Sequence, residues 1–101
     1  MSLNHLDIPR DEIADFCRRW SITELALFGS ILRADFHSDS DVDLLVTFAP
    51  EAQWSLLDLV QMQDELRELF RRNVDLVEAA ALRNPYRRRA ILSEKEVIFA
   101  A

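Results

Sequence analysis

Residues 25–46 read LALFGSILRADFHSDSDVDLLV, and this stretch decides the fold. Leu25 to Phe28 is a short apolar run that stops abruptly at Gly29-Ser30, as a buried strand does on meeting a turn. Asp43 to Phe48, DLLVTF, reads as a second strand, terminated by Pro50. Asp41 and Asp43 stand two apart at its mouth. Side chains alternate along a strand, so both carboxylates point to one face, roughly 6.5–7 Å apart along the backbone. Two like charges on an apolar strand are costly unless something positive sits between them. A hard divalent cation fits there, since Mg²⁺ takes one or two carboxylates together with substrate phosphates. Asp75 is a third carboxylate, in the middle of the apolar run Val74-Asp75-Leu76-Val77. If the two strands are neighbours and face the same way, the three acids can hold two metal ions.

The turn between the strands contains the only glycine among 101 residues. Glycine averages about 7% of a chain, so a fold that uses one should place it where no other residue fits. Gly29-Ser30 lies between the first strand and a short helical segment, Ile31–Arg33. Backbone N–H groups at a helix start face outward and bind phosphate, and glycine lets the backbone approach closely. The Ser30 hydroxyl adds a donor. Amides and hydroxyl at one end and carboxylates at the other suit a metal–nucleoside triphosphate.

Outward from this stretch the chain alternates helices and strands. Asp7 is expected to cap a first helix with Pro9 in its first turn and Ile13, Phe16, Cys17 and Trp20 on one apolar stripe. Ser55, with Asp58 three residues on, resembles a helix cap, and Leu56, Leu59, Val60, Leu66, Leu69 and Phe70 carry that helix to about Arg72. Asn73 makes the turn into a third strand, Val74–Val77. Asn84-Pro85 starts a last helix to about Leu92, and Glu96–Phe99 is a final strand. The expectation is one domain over residues 1–101, an α/β (α+β) fold. A small mixed sheet of about four strands carries helices on one or both faces.

Composition narrows the function. The formal charge is −6, with 4 basic and 9 acidic residues in the first half and 8 and 9 in the second. That balance argues against sequence-independent binding to duplex DNA. Arg83, Arg87, Arg88 and Arg89 form a local basic cluster, read as a solvated helix face, or otherwise as a docking surface for an acidic partner or RNA. One cysteine makes no internal disulfide, and no Cys/His spacing resembles a zinc site. The N-terminus lacks the pattern of a signal peptide, and no apolar run reaches membrane length; the expected setting is the cytoplasm. His5 and Cys17 carry no functional case, His37 reads as an exposed loop residue, and Ser38, Asp39 and Ser40 read as loop-shaping neighbours.

Gly29-Ser30, ten residues, then Asp41-Val42-Asp43 resembles the GS-x10-DxD signature of the DNA polymerase β-like nucleotidyltransferase superfamily. Phe28, Arg33, Asp35 and Ser40 are similar to its small bacterial members, although Ala34 stands where many relatives have glycine. The SLLDLV helix and NVDLVE strand extend the likeness over roughly residues 20–80. Length and element order resemble the minimal nucleotidyltransferase (MNT) antitoxins, encoded beside HEPN-domain toxins.

The resemblance implies transfer of AMP from ATP to a hydroxyl, for the antitoxin branch a tyrosine of the toxin. Asp41 and Asp43 would hold the metal on the triphosphate and share the catalytic metal, Mg²⁺ or Mn²⁺. Asp75 would complete the catalytic metal site and help deprotonate the incoming hydroxyl. Gly29 and Ser30 would bind the β- and γ-phosphates, and Arg33 would neutralise phosphate charge or pair with Asp35 or Asp39. Two other functions stay open: an antitoxin that neutralises by binding alone, and a small-molecule nucleotidyltransferase. The latter normally needs a further substrate-binding domain. The chain is expected to assemble as a homo-oligomer or with the toxin.

Overall fold

The apolar stripes and runs become a four-stranded sheet with helices on both faces. The computed structural model describes residues 2, 3, 6–32 and 41–101, and at positions 2, 3, 6, 7 and 30 the backbone alone. Two short strands, β1 (Ser2–Leu3) and β2 (Leu6–Asp7), pair as an antiparallel hairpin and lead into helix α1 (Arg10–Arg19). Strand β3 (Ile22–Phe28), a 3₁₀ turn (Gly29–Leu32) and strand β4 (Val42–Phe48) follow. Helix α2 (Leu56–Phe70), strand β5 (Val74–Glu78), a second 3₁₀ turn (Ala79–Ala81), helix α3 (Pro85–Glu94) and strand β6 (Glu96–Ala100) complete the order.

The main sheet runs β5-β4-β3-β6. β3 is antiparallel to β4 and β6, whereas β4 and β5 are parallel. A parallel pair needs a crossover, and α2 supplies it. Alternation then sorts the side chains. Leu25, Leu27, Val42, Leu44 and Val46 face α1 and α2, meeting Ile13, Phe16, Cys17, Met62, Leu66 and Phe70 in the larger core. Ala26, Phe28 and Leu45 point to the other face, where Leu82 and Ile91 of the α3 layer cover them.

Local signals explain most boundaries. The Ser55 hydroxyl accepts from Asp58 N–H at 3.2 Å while the Asp58 carboxylate accepts from Ser55 N–H at 2.9 Å, a reciprocal cap at the start of α2. Asn84 Oδ1 accepts from the Tyr86 and Arg87 amides at 2.9 and 3.1 Å and caps α3. Two expectations are corrected. Asp7 does not occupy the cap position of α1: its backbone pairs with Ser2 across the hairpin, and α1 starts later, with Pro9 at its cap and no side-chain cap bond. The residue that turns the chain out of α2 is Arg71, left-handed at φ 56°, rather than Asn73. Its amide and that of Arg72, at 3.3 Å, both close on Arg67 O and end the helix.

Cys17 faces the core with no exposed surface, and burial pushes its thiol up to about 12. An unfolded thiol titrates near 9, so the native state keeps a proton that the unfolded state loses. Stability attributable to Cys17 is therefore full below pH 9 and declines as pH rises from there toward 12. Iodoacetamide at pH 8.5 should leave Cys17 unmodified in the folded chain and alkylate it in urea; equal rates in the two conditions would contradict this burial.

Candidate active site

β3 and β4 meet the turn at one end of the sheet, and their register places Phe28 opposite Asp43. The next residue, Gly29, has φ +78°, a left-handed conformation that glycine adopts at no steric cost. A Cβ at this position would stand 3.2 Å from Asp43 Cγ and would overlap its Oδ2. The glycine therefore answers two demands at once, a left-handed turn and a carboxylate packed against its bare Cα.

The parallel register of β4 and β5 pairs Val42 with Val74 and Asp43 with Asp75. Paired residues share a face on strands about 4.8 Å apart, so Asp43 and Asp75 are side by side. Asp43 is half-buried and Asp75 exposed. Val42 N–H donates to Asn73 O at 2.9 Å and fixes the register at the mouth. Asp41 lies just ahead of β4, exposed, two residues before Asp43. Among the described residues no three His, Cys, Asp or Glu side chains gather into a preformed metal cluster. Of the three acids, the register itself pairs Asp43 with Asp75.

Ser30 sits in the 3₁₀ turn directly after Gly29. Arg33, together with Ala34, Asp35, His37, Ser38, Asp39 and Ser40, lies outside the described residues. One supporting residue carried no recognisable signal in the sequence. Gln63 of α2, half-buried, accepts from Leu76 N–H at 3.3 Å. β5 is an edge strand, and this bond satisfies an amide next to Asp75 and ties the strand to the helix. In the sequence, Gln63 is simply a polar residue in an amphipathic helix; only the fold reveals what it faces.

The donor set suits a hard divalent cation. Its groups are carboxylate oxygens, one of them seated over a glycine Cα that leaves it room, with no thiolate or imidazole among the named ligands. Paired acids on adjacent strands, beside a glycine turn at a strand end, on a mixed sheet layered by helices, define the nucleotidyltransferase class of α+β protein. The nucleotidyltransferase domain family model matches residues 10–98, and the chain belongs to that family.

The chain is 31% identical over 93 residues to a Methanocaldococcus jannaschii protein named as a candidate protein adenylyltransferase, covering 92% of this chain and 91% of that one. Its fold matches a crystallised toxin–antitoxin complex with AMP-PNP at TM-score 0.74 and 18% identity, over 93% of this chain and 75% of that one. It also matches the structure of a tri-AMPylated Shewanella oneidensis HEPN toxin in complex with an MNT antitoxin. That TM-score is 0.65 at 16% identity, over 91% and 70% of the two chains. Among the described residues, no helix is long and apolar enough to cross a membrane.

Proposed function

We propose that this chain is the antitoxin of a toxin–antitoxin pair and transfers AMP from ATP to a tyrosine hydroxyl of a HEPN-domain partner. The observation that carries the reading is the in-register pair Asp43 and Asp75, with Asp43 packed over Gly29. A protein that neutralised its partner by contact alone would have no use for two adjacent carboxylates, which repel each other in the absence of a cation.

Asp41, Asp43 and Asp75 would hold Mg²⁺ or Mn²⁺, and such an ion draws charge from triphosphate oxygens when bound. The chain's own residues do the rest. The Gly29-Ser30 amides and the Ser30 hydroxyl would hold the β- and γ-phosphates, leaving the α-phosphorus over the carboxylate pair. Arg33 would neutralise phosphate charge. Asp75, exposed on the edge strand, would accept the proton of the incoming tyrosine. The tyrosine oxygen then bonds to the α-phosphorus, the α–β phosphoanhydride bond breaks, and pyrophosphate leaves in line with the attack.

ATP labelled at the α-phosphate, Mg²⁺ and the product of the adjacent gene are the components of the test. Label on a tyrosine of that product is the expected result. Neutralisation that survives Asp41→Ala/Asp43→Ala without any transfer would instead establish inhibition by binding alone. Ser30→Ala should raise the KM for ATP by about tenfold, in keeping with the loss of one charge-assisted hydrogen bond. A normal KM in that variant would remove Ser30 from the phosphate site.

A further inference from the structure

The outer surface of α3 has no role in the chemistry above. Of its ten residues only Ile91 is buried. Arg83 and every residue from Pro85 to Ala90 are exposed, and Tyr86 is 86% exposed. Among the described residues, none of Arg83, Arg87, Arg88 and Arg89 enters an ion pair. Arg88 donates to Ala79 O at 3.1 Å, which leaves Arg83, Arg87 and Arg89 as the outward cations. At 100° per residue, Tyr86 and Arg89 lie on the side of α3 opposite Ile91, whereas Arg87 and Arg88 lie about 40° and 60° from Ile91, at the exposed border of the packed side.

This placement works against the helix itself. The first turn of α3 has no acidic residue, and arginines stand at the end where the helix dipole is positive. An anionic surface docked there would relieve that repulsion. The ridge also has a useful position. Ile91 packs against Phe28 and Leu45, and these share the sheet face of Asp43. A protein approaching the carboxylates from that face meets the ridge beside them.

We propose that Arg83, Tyr86, Arg87 and Arg89 form the docking surface for an acidic patch on the protein that receives the nucleotide. The proposal rests on the reading of the chain as a modifier of a partner protein. Exposed arginine and tyrosine are residue types that anchor protein interfaces. A nucleic acid fits less well. The helix is about 15 Å long, and outside the cluster the chain has 8 basic residues against 18 acidic, so a phosphate backbone running past the ridge meets repulsion.

The test uses the full chain on immobilised poly-L-glutamate and, separately, on poly(U). The chain should bind poly-L-glutamate in a salt-sensitive manner, and Arg83→Glu/Arg87→Glu/Arg89→Glu should weaken binding by at least about tenfold. That variant should melt no lower than the parent, because an acid in the first turn of α3 suits its dipole. The matching glutamine variant should weaken binding in the same direction with no new acid. Absence of binding to poly-L-glutamate, equal binding by parent and variants, or tighter binding to poly(U) would overturn the proposal. Asp43→Asn should keep the poly-L-glutamate binding and lose AMP transfer, so a failed ridge and a failed active site give different results.

Discussion

Gly29→Ala should reduce AMP transfer by at least about a hundredfold while leaving a folded protein. Two costs act at this position. A left-handed residue with a Cβ carries about 1–2 kcal/mol of backbone strain, and φ here is +78°. The added carbon would also occupy the place of the Asp43 carboxylate, which cannot retreat freely because its strand is hydrogen-bonded on both sides, to β3 and to β5. Overpacking of this kind adds about 1–3 kcal/mol. The side chain has to leave its place over the turn, and a displacement near 1 Å in a positioned group costs about a hundredfold in rate. Urea denaturation checks the stability loss and initial rates with labelled ATP check the activity. A Gly29→Ala protein as active as the parent would show that Asp43 does not need its place over the turn.

Asp75→Asn should remove transfer by at least about a thousandfold, in line with loss of a metal ligand and proton acceptor, yet leave the unliganded chain no less stable. Asn keeps the shape and removes one of two adjacent like charges, and like charges opposite each other on neighbouring strands are destabilising. The two effects have opposite signs, so they are separable from general damage. Mg²⁺ with a nonhydrolysable ATP analogue should raise the melting temperature of the parent more than that of Asp75→Asn, since a ligand bound only to the native state stabilises it. Full activity in Asp75→Asn would remove the residue from the site.

Much of this was legible before any coordinates. The apolar run ending at Gly29, the strand Asp43–Phe48 stopped before Pro50 and the Ser55–Asp58 pair each have a local cause, and each appears in the structure. Features set by distant parts of the chain were not legible. Nothing near Asp7 announces that Ser2 will pair with it, and a good capping residue lost its helix to a strand. The partner of Asp43 could be guessed from the acid in VDLV, but parallel pairing at that register is a property of the whole β4-α2-β5 unit. Gln63 shows the same limit, since a polar residue on a helix gives no hint of the strand amide it will meet. The carboxylate pair is therefore half a sequence motif and half a consequence of topology.

That topology makes α2 a gauge. The chain leaves β4 at Phe48, at the far end of the sheet, and has to return to the mouth before β5 can begin beside Val42. Fifteen helical residues span about 22 Å, close to the roughly 23 Å of a seven-residue strand. The match between these lengths brings Asp75 level with Asp43. A one-residue slip of β5 would turn Asp75 to the opposite face, among the apolar side chains under α2. Catalysis thus depends on the length of an element that supplies none of the proposed ligands, and insertions or deletions in α2 should be as damaging to it as substitutions at the carboxylates.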